Sequence, residues 1–392
     1  LKNSLVYKFS TIVENLFFIE KFIDRSNFHC LNYFQQMLKR IKIMKYKTLS
    51  LSAANAVKDC LNDIPFIKVI KSETLLNDAG PSYILHLETP FGRKSIYVEI
   101  SASGQPRFAR ILIEKVNLMT EDAKIYWMFV APYLSEKTAE MLRNAGMGFL
   151  DLAGNCFISF GGLYIQKEGK KNPYLNRRKF NSLFKLKASR VLRVLLFNPN
   201  RYWKIAPLAK EAKVSVGHVY NVKEELLNRE LAVVDTRGMR LSEPKSLLQE
   251  WCNNYQFEGT QFQSFYSLSK MAQLEKQIEE ACSKRKMRYA LSGFAGAARL
   301  APFVRYHRIH CYLENSIDDL VKSLDLKSVT SGENIIFMNP SDDGVFYYAQ
   351  RIEGVHLVSP IQLYLDLNTL SDRGKEAADF IYNEVIEPKW EK

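Results

Sequence analysis

Between Lys204 and Arg240 this chain of 392 residues places donor side chains where they would suit a nucleic-acid contact. Lys213-Val214-Ser215 reads as a tight turn, with Ser215 set to cap a helix running from Val216 to Leu227. Helical spacing turns Val219, Val222 and Leu226 inward, which leaves Gly217, His218, Tyr220, Asn221 and Lys223 pointing out. Such a helix can lie in a major groove, where Asn is suited to adenine and His or Tyr bonds acceptors or stacks. Arg237, within the turn Thr236-Arg237-Gly238, and Arg240, just beyond it, could reach the DNA backbone or minor groove. Lys204, Lys210 and the cluster Arg177, Arg178 and Lys179 would add a salt-dependent attraction for phosphate.

The elements that must hold these groups can be read around them. Ala188 to Phe197 is a first helix with Val191, Leu192, Leu195 and Leu196 inward, closed by Asn198-Pro199-Asn200. Ile205, Leu208, Ala209 and Ala212 mark a short second helix, and Leu231–Val234 with Met239–Leu241 a two-stranded wing. The order predicts a winged helix-turn-helix over residues 188–254. Charge supports the placement. Residues 167–245 carry 19 Lys plus Arg against 7 acids, an excess close to the net +13 of the whole chain, and the stretch 167–187 reads as a basic linker.

On either side lie mixed segments. Residues 48–166 alternate helix and strand, beginning with a helix on Ala53, Val57, Leu61 and Ile64 and including a hairpin through Thr89-Pro90-Phe91-Gly92-Arg93. Residues 255–392 start with an expected long helix carrying Phe265, Leu268, Met271, Leu274 and Ile278 on one face. A hairpin through Asn334 to Gln350 and two helices, begun at Ser359-Pro360 and Ser371-Asp372, complete that region. The stretch 1–47 is an N-terminal extension. It reads either as sequence upstream of a start at Met44 or as a helical arm built on Phe17, Phe18, Phe22, Phe28, Phe34 and Leu38.

Composition excludes some classes. No uncharged apolar run approaches the roughly 18 residues a spanning helix needs, so no membrane partner is expected. The 6 cysteines are scattered without a CxxC pair, which argues against a zinc ribbon or a secreted disulfide scaffold and for reduced thiols in a cytoplasmic setting. His307, His310 and Cys311 lack a second ligand group at metal-binding spacing, and a strand would send His310 and Cys311 to opposite faces. Asp342-Asp343-Gly344 reads as a hairpin turn, since the remaining ligands of a calcium loop are missing. No metal or cofactor is expected.

Two further motifs, Tyr126-Trp127-Met128-Phe129-Val130-Ala131-Pro132-Tyr133-Leu134-Ser135 and Gly148-Phe149-Leu150-Asp151-Leu152-Ala153-Gly154-Asn155-Cys156, precede the basic linker. Together with the winged helix they resemble the transcriptional regulators classed with the AbiEi antitoxins of type IV toxin-antitoxin systems. The resemblance covers about residues 80–390, and Asp-Leu-Ala-Gly-Asn is its most specific part. It implies an α+β multidomain chain: a restriction-endonuclease-like α/β domain, a central winged helix and a C-terminal nucleotidyltransferase-like α/β antitoxin domain. It further implies a repressor of its own operon, bound to a double-stranded DNA operator, that counteracts a cognate nucleotidyltransferase toxin in a phage-defence setting. Contact with that toxin does not follow.

The resemblance also raises two catalytic questions. Endonucleases of that fold hold a divalent metal with an acid on one strand and an acid-x-Lys on the next. Here the second strand reads Glu99-Ile100-Ser101, with Glu88 the candidate first acid and Arg93 or Lys94 candidate migrated cations. Nucleotidyl transfer needs two carboxylates at alternate strand positions, where Arg308–Leu313 offers His310 and Tyr312. Both sites read as degenerate, so the expectation is a DNA-binding regulator without catalysis. A metal-dependent nuclease targeted by its winged helix is the alternative, and an interaction scaffold a further one.

Overall fold

The structure is a computed structural model that describes residues 48–74, 82–119, 125–171, 183–301, 306–314, 317–371 and 373–391. The readings of Met44, of residues 1–43 and of Arg177, Arg178 and Lys179 lie outside these residues. The chain divides near residue 172 into two compact units. Each is a mixture of helices with one large mixed sheet.

The first unit opens with helix α1 (48–62) and strands β1 (Lys68–Thr74), β2 (Tyr83–Thr89) and β3 (Gly92–Ile100). Helix α2 (Pro106–Leu118), β4 (Ile125–Ala131), α3 (Glu136–Asn144), β5 (Gly148–Asp151), β6 (Cys156–Phe160) and β7 (Leu163–Lys167) follow. The seven strands lie in chain order; β3, β4 and β5 are parallel and the outer neighbours antiparallel. Parallel pairing at the centre follows from α2 and α3, which carry the chain back across the sheet. Strand β4 shows what this does to a sequence. Tyr126, Met128 and Val130 pack with α1 on one face, while Trp127, Phe129 and Ala131 pack with α2 and α3 on the other. A strand covered on both faces is apolar throughout, as Ile125–Ala131 is.

The Asp151–Asn155 stretch closes on itself. Asp151, almost fully buried, accepts from the backbone N–H of Ala153 at 3.0 Å and of Asn155 at 2.9 Å, and from Asn155 Nδ2 at 2.8 Å. Asn155 Oδ1 then accepts the Lys170 N–H at 2.8 Å. The motif is thus a tie between β5, β6 and the chain beyond β7, a structural use for each of its polar residues.

The second unit begins with three helices, α4 (Leu186–Phe197), α5 (Ile205–Glu211) and α6 (Val216–Asn228), and a ribbon of β8 (Ala232–Asp235) and β9 (Gly238–Leu241). Trp203 bridges to Met239 beside the ribbon. Helix α7 (Pro244–Asn254) leads into β10 (Gln261–Tyr266), α8 (Met271–Arg285), β11 (Tyr289–Ser292), α9 (Gly293–Leu300), β12 (Ile309–Leu313), α10 (Asp318–Ser323), β13 (Lys327–Ser328) and β14 (Ile335–Asn339). The hairpin β15 (Gln350–Ile352) and β16 (Val355–Leu357), helices α11 (Pro360–Leu367) and α12 (Gly374–Ile381), a π turn and a last helix α13 (Glu387–Trp390) end it. The sheet order is β13-β10-β14-β12-β11-β16-β15. One face packs on α8 and α10, with Leu274, Ile278 and Leu320 against Leu291, Ile309 and Phe337. The other face joins α11, α12 and the three-helix segment in a single core that runs from Leu192 and Trp251 to Tyr312, Leu363 and Ile381.

Three expectations change. Residues 261–266 form a strand, because Gln261-Phe262-Gln263-Ser264-Phe265-Tyr266 can pair with both β13 and β14; α8 starts only at Met271, and Leu268 is 88% exposed. No hairpin runs from Asn334 to Gln350: β14 pairs with β10 and β12. Asp342 instead starts a 3-10 turn over Asp343–Phe346, its carboxylate taking the Gly344 N–H at 2.8 Å and Arg190 Nε at 2.8 and 2.9 Å. The helix expected from Ser371-Asp372 begins at Gly374, with Arg373 at its cap; Asp372 lies outside the described residues.

Candidate nucleic-acid interface

Helix α6 is positioned by the turn before it. Lys213 adopts a left-handed backbone (φ 53°), the Val214 N–H reaches the Ala209 carbonyl at 3.0 Å, and Ser215 Oγ accepts the His218 N–H at 3.3 Å. Such a cap stabilises a helix start by about 1 kcal/mol. Val219, Val222 and Leu226 are buried. Gly217, Tyr220 and Asn221 are exposed on the opposite side, with Ser215 and Val216 at the helix start. A Cβ at Gly217 would meet nothing within 4 Å, so packing within the unit does not require glycine there. Lys223 Nζ lies 5.6 Å from the Tyr220 ring centre, a cation held beside the stripe.

His218 sits differently from its neighbours. It is half-buried at the inner edge of the stripe, and Nε2 is enclosed without a hydrogen-bond partner among the described residues. Burial, with Lys187 nearby, depresses its pKa and keeps the ring neutral at pH 7.

The ribbon turn adds a cluster that the sequence did not signal. Arg237 Nη2 donates to Asp235 Oδ2 at 2.7 Å and to the Tyr202 hydroxyl at 2.6 Å, with its guanidinium 3.8 Å from the Tyr202 ring centre. Arg240 Nε donates to the same hydroxyl at 2.8 Å. Arg237 holds the Asp235 carboxyl below the usual carboxylate range. Tyr202 was missed because it lies in a loop with no periodicity to mark it. Asp235-Thr236-Arg237 could have been read as an Asx turn, since Asp235 Oδ1 also takes the Arg237 N–H at 2.8 Å. Gly238 has a visible reason: at φ +135° a Cβ would lie 2.5 Å from the Trp203 carbonyl oxygen. Lys204, Lys210 and Lys213 are exposed around α5, whereas Arg229 is buried in a pair of salt bridges to Glu225 and Glu250.

Glu99 and Glu88 do not converge in the first unit. Glu88 pairs with Arg93 at the turn end of the β2/β3 hairpin, and Glu99 lies six residues further along β3, roughly 20 Å away at strand rise. Glu99 instead meets Lys115 of α2, whose Nζ is 3.3 Å from Oε2. Burial raises the Glu99 pKa and the Lys115 charge opposes the rise.

The strand β12 of the second unit carries His310 and Tyr312 on one face and Cys311 on the other. His310 Nδ1 is buried and unpartnered among the described residues, 2.7 Å from where a Cβ on Gly293 would stand, and burial pulls the ring down to about 4. Tyr312 donates to Asp366 Oδ1 at 3.0 Å. Among the described residues no group of three or more His, Cys, Asp or Glu side chains is placed to hold a metal ion, and no helix is long and apolar enough to cross a membrane.

With this geometry in view, comparison with known families gives one result. Residues 240–387 match the model of a family described as transcriptional regulator, AbiEi antitoxin, type IV TA system. The match runs from β9 to α13, so the motifs at 126–135 and 148–156 lie outside it. It supports a general role of the antitoxin and regulator class for the chain. No curated protein and no solved structure matches.

Proposed function

We propose that the chain is a DNA-binding transcriptional regulator of the antitoxin kind, which represses its own operon and counteracts a nucleotidyltransferase toxin. In this reading residues 188–254 are a winged helix, α6 is its recognition helix and the β8/β9 ribbon its wing. The exposed stripe of Gly217, Tyr220 and Asn221 on a capped helix, flanked by Lys213, Lys223 and the Tyr202-centred arginines, carries the reading. A stripe of that width fits a major groove, where Asn221 offers the paired donor and acceptor that adenine requires. Tyr202 holds Arg237 and Arg240 together so that two cations approach one stretch of phosphate. The first unit and the sheet of the second act without catalysis.

A salt series of binding to the duplex upstream of the protein's own gene, beside random duplex and with magnesium present, tests this. Saturable, sequence-preferring binding that leaves DNA intact is expected. Equal affinity for both duplexes would refute the operator. The Glu99–Lys115 pair keeps a second reading specific, because it brings an acid and an amine together as a nuclease would use them. Magnesium-dependent cleavage would make the nuclease the better description.

A further inference from the structure

The second unit contains a cavity of about 420 Å³ whose wall is drawn from α4, α7, the loop after α7 and residues 340–345. Arg193 forms part of that wall although the residue is only 5% exposed. Its guanidinium is incompletely satisfied. Nε and Nη2 donate to Gln362 Oε1 at 3.1 and 2.5 Å, and Nη1 donates to Ser189 Oγ at 2.7 Å, which uses three of the five N–H groups an arginine offers. One hydrogen remains on each terminal nitrogen, and an arginine N–H is a charge-assisted donor suited to a carboxylate.

The charge is also left without a direct partner. Arg193 makes no salt bridge to a carboxylate among the described residues. Asp342, which lines the same cavity, is engaged on both oxygens by Arg190 Nε. Asp366 is one amide away, taking Gln362 Nε2 at 2.8 Å. Glu258 and Lys185, both exposed, line the cavity with opposite charges. Burying an ion in this way is costly unless a counter-charge reaches it. The remaining walls supply ring faces: Trp251, whose ring centre is 4.9 Å from the guanidinium, with Phe184, Tyr255 and Phe257. The volume is within the range of small-molecule sites.

We propose that this cavity binds a small aromatic carboxylate, its carboxylate on the two N–H groups that Arg193 has left and its ring among Phe184, Tyr255 and Phe257. Benzoate is the probe, with benzamide as the neutral molecule of the same shape. Calorimetry and tryptophan fluorescence on the full chain should show saturable benzoate binding with a Kd of about 1 mM or tighter, and benzamide at least about tenfold weaker. Arg193→Gln should lose at least about tenfold in benzoate affinity, as should Ser341→Glu, which places an anion on the exposed rim without touching the core. If Arg193→Gln does not fold, Ser341→Glu decides the question. The site is overturned if benzoate fails to saturate up to about 20 mM, if benzamide binds equally well, or if the folded variants bind benzoate as the parent does.

Discussion

Lys115 Nζ lies 3.3 Å from Glu99 Oε2, so the acid next to the end of β3 is answered by a cation from α2 rather than by one two residues further along its own chain. The contact follows from the pleat. Val98 and Ile100 face α1, so Glu99 faces α2, and a lysine on that helix can reach it while Ser101 cannot supply the charge. A two-metal or one-metal nuclease needs a further carboxylate, and Glu88 is too far along the sheet to provide one. Supercoiled plasmid incubated with the protein and magnesium is expected to stay uncut, and Glu99→Gln to change nothing. Nicking that disappears in Glu99→Gln would reverse this.

Asn221 and His218 should separate in binding assays. Asn221 is exposed on the α6 stripe, so Asn221→Ala is expected to cost about 1–3 kcal/mol on the preferred duplex and little on random DNA. His218 has its Nε2 enclosed and its ring neutral, so His218→Ala should cost less specificity than Asn221→Ala. Competition titrations on both duplexes measure this. Equal loss of specificity in the two variants would show that His218 turns outward to read a base.

The ribbon predicts a gain. Asp235 neutralises Arg237, so Asp235→Asn should strengthen binding to any duplex and steepen the dependence of log K on log salt by up to about one unit. Lys204→Ala should flatten the same slope by about one. An unchanged slope in Asp235→Asn would mean that Arg237 does not meet phosphate.

Gly238→Ala should lower stability by more than about 2 kcal/mol, since the new methyl group would press on the Trp203 carbonyl from a backbone conformation alanine avoids. Chemical denaturation measures the loss. Gly217→Ala is the control: its Cβ meets open space, and in a helix alanine is preferred to glycine, so that variant should be as stable as the parent or more so.

Asp366 sets a pH dependence. Its carboxyl is buried and pushed up to about 6, with bonds from Ser292, Tyr255, Tyr312 and Gln362 opposing the burial. Because the folded state then holds the proton more tightly than the unfolded chain, stability is fullest below about pH 4 for this group and is lost as pH rises to 6. The span is of the order of 3 kcal/mol. Asp366→Asn should remove that part of the pH dependence, so the difference in unfolding free energy between variant and parent should change between pH 4 and 6 and level off above. Parallel curves would show that Asp366 does not titrate there.

How far these features were legible from residues alone depended on how local their causes are. The capped recognition helix could be read because Ser215, Val219, Val222 and Leu226 lie within one short window and obey one period. The β2/β3 turn was legible for the same reason, with Thr89 pairing Gly92 across Pro90 and Phe91. Phe265 and Leu268 misled because apolar residues three apart occur by chance where a strand and a loop precede a helix. Only the pairing of β10 with β13 and β14 decides between those states. Tyr202, Lys115 and the Arg193–Gln362 contact were not legible, since they join residues 35, 16 and 169 positions apart, and spacing along a chain carries no information about such pairs.

The core that runs without a break from Leu192 through Trp251 to Leu363 has a practical meaning. A fragment cut after Asn254 would leave Trp251, Leu247 and the α4 surface facing water, and it would favour self-association over a clean solution module. Hydrogen exchange in the slowest amides of α4 and α11 should therefore decay together, as one cooperative block, and a load applied to either helix would be borne by both.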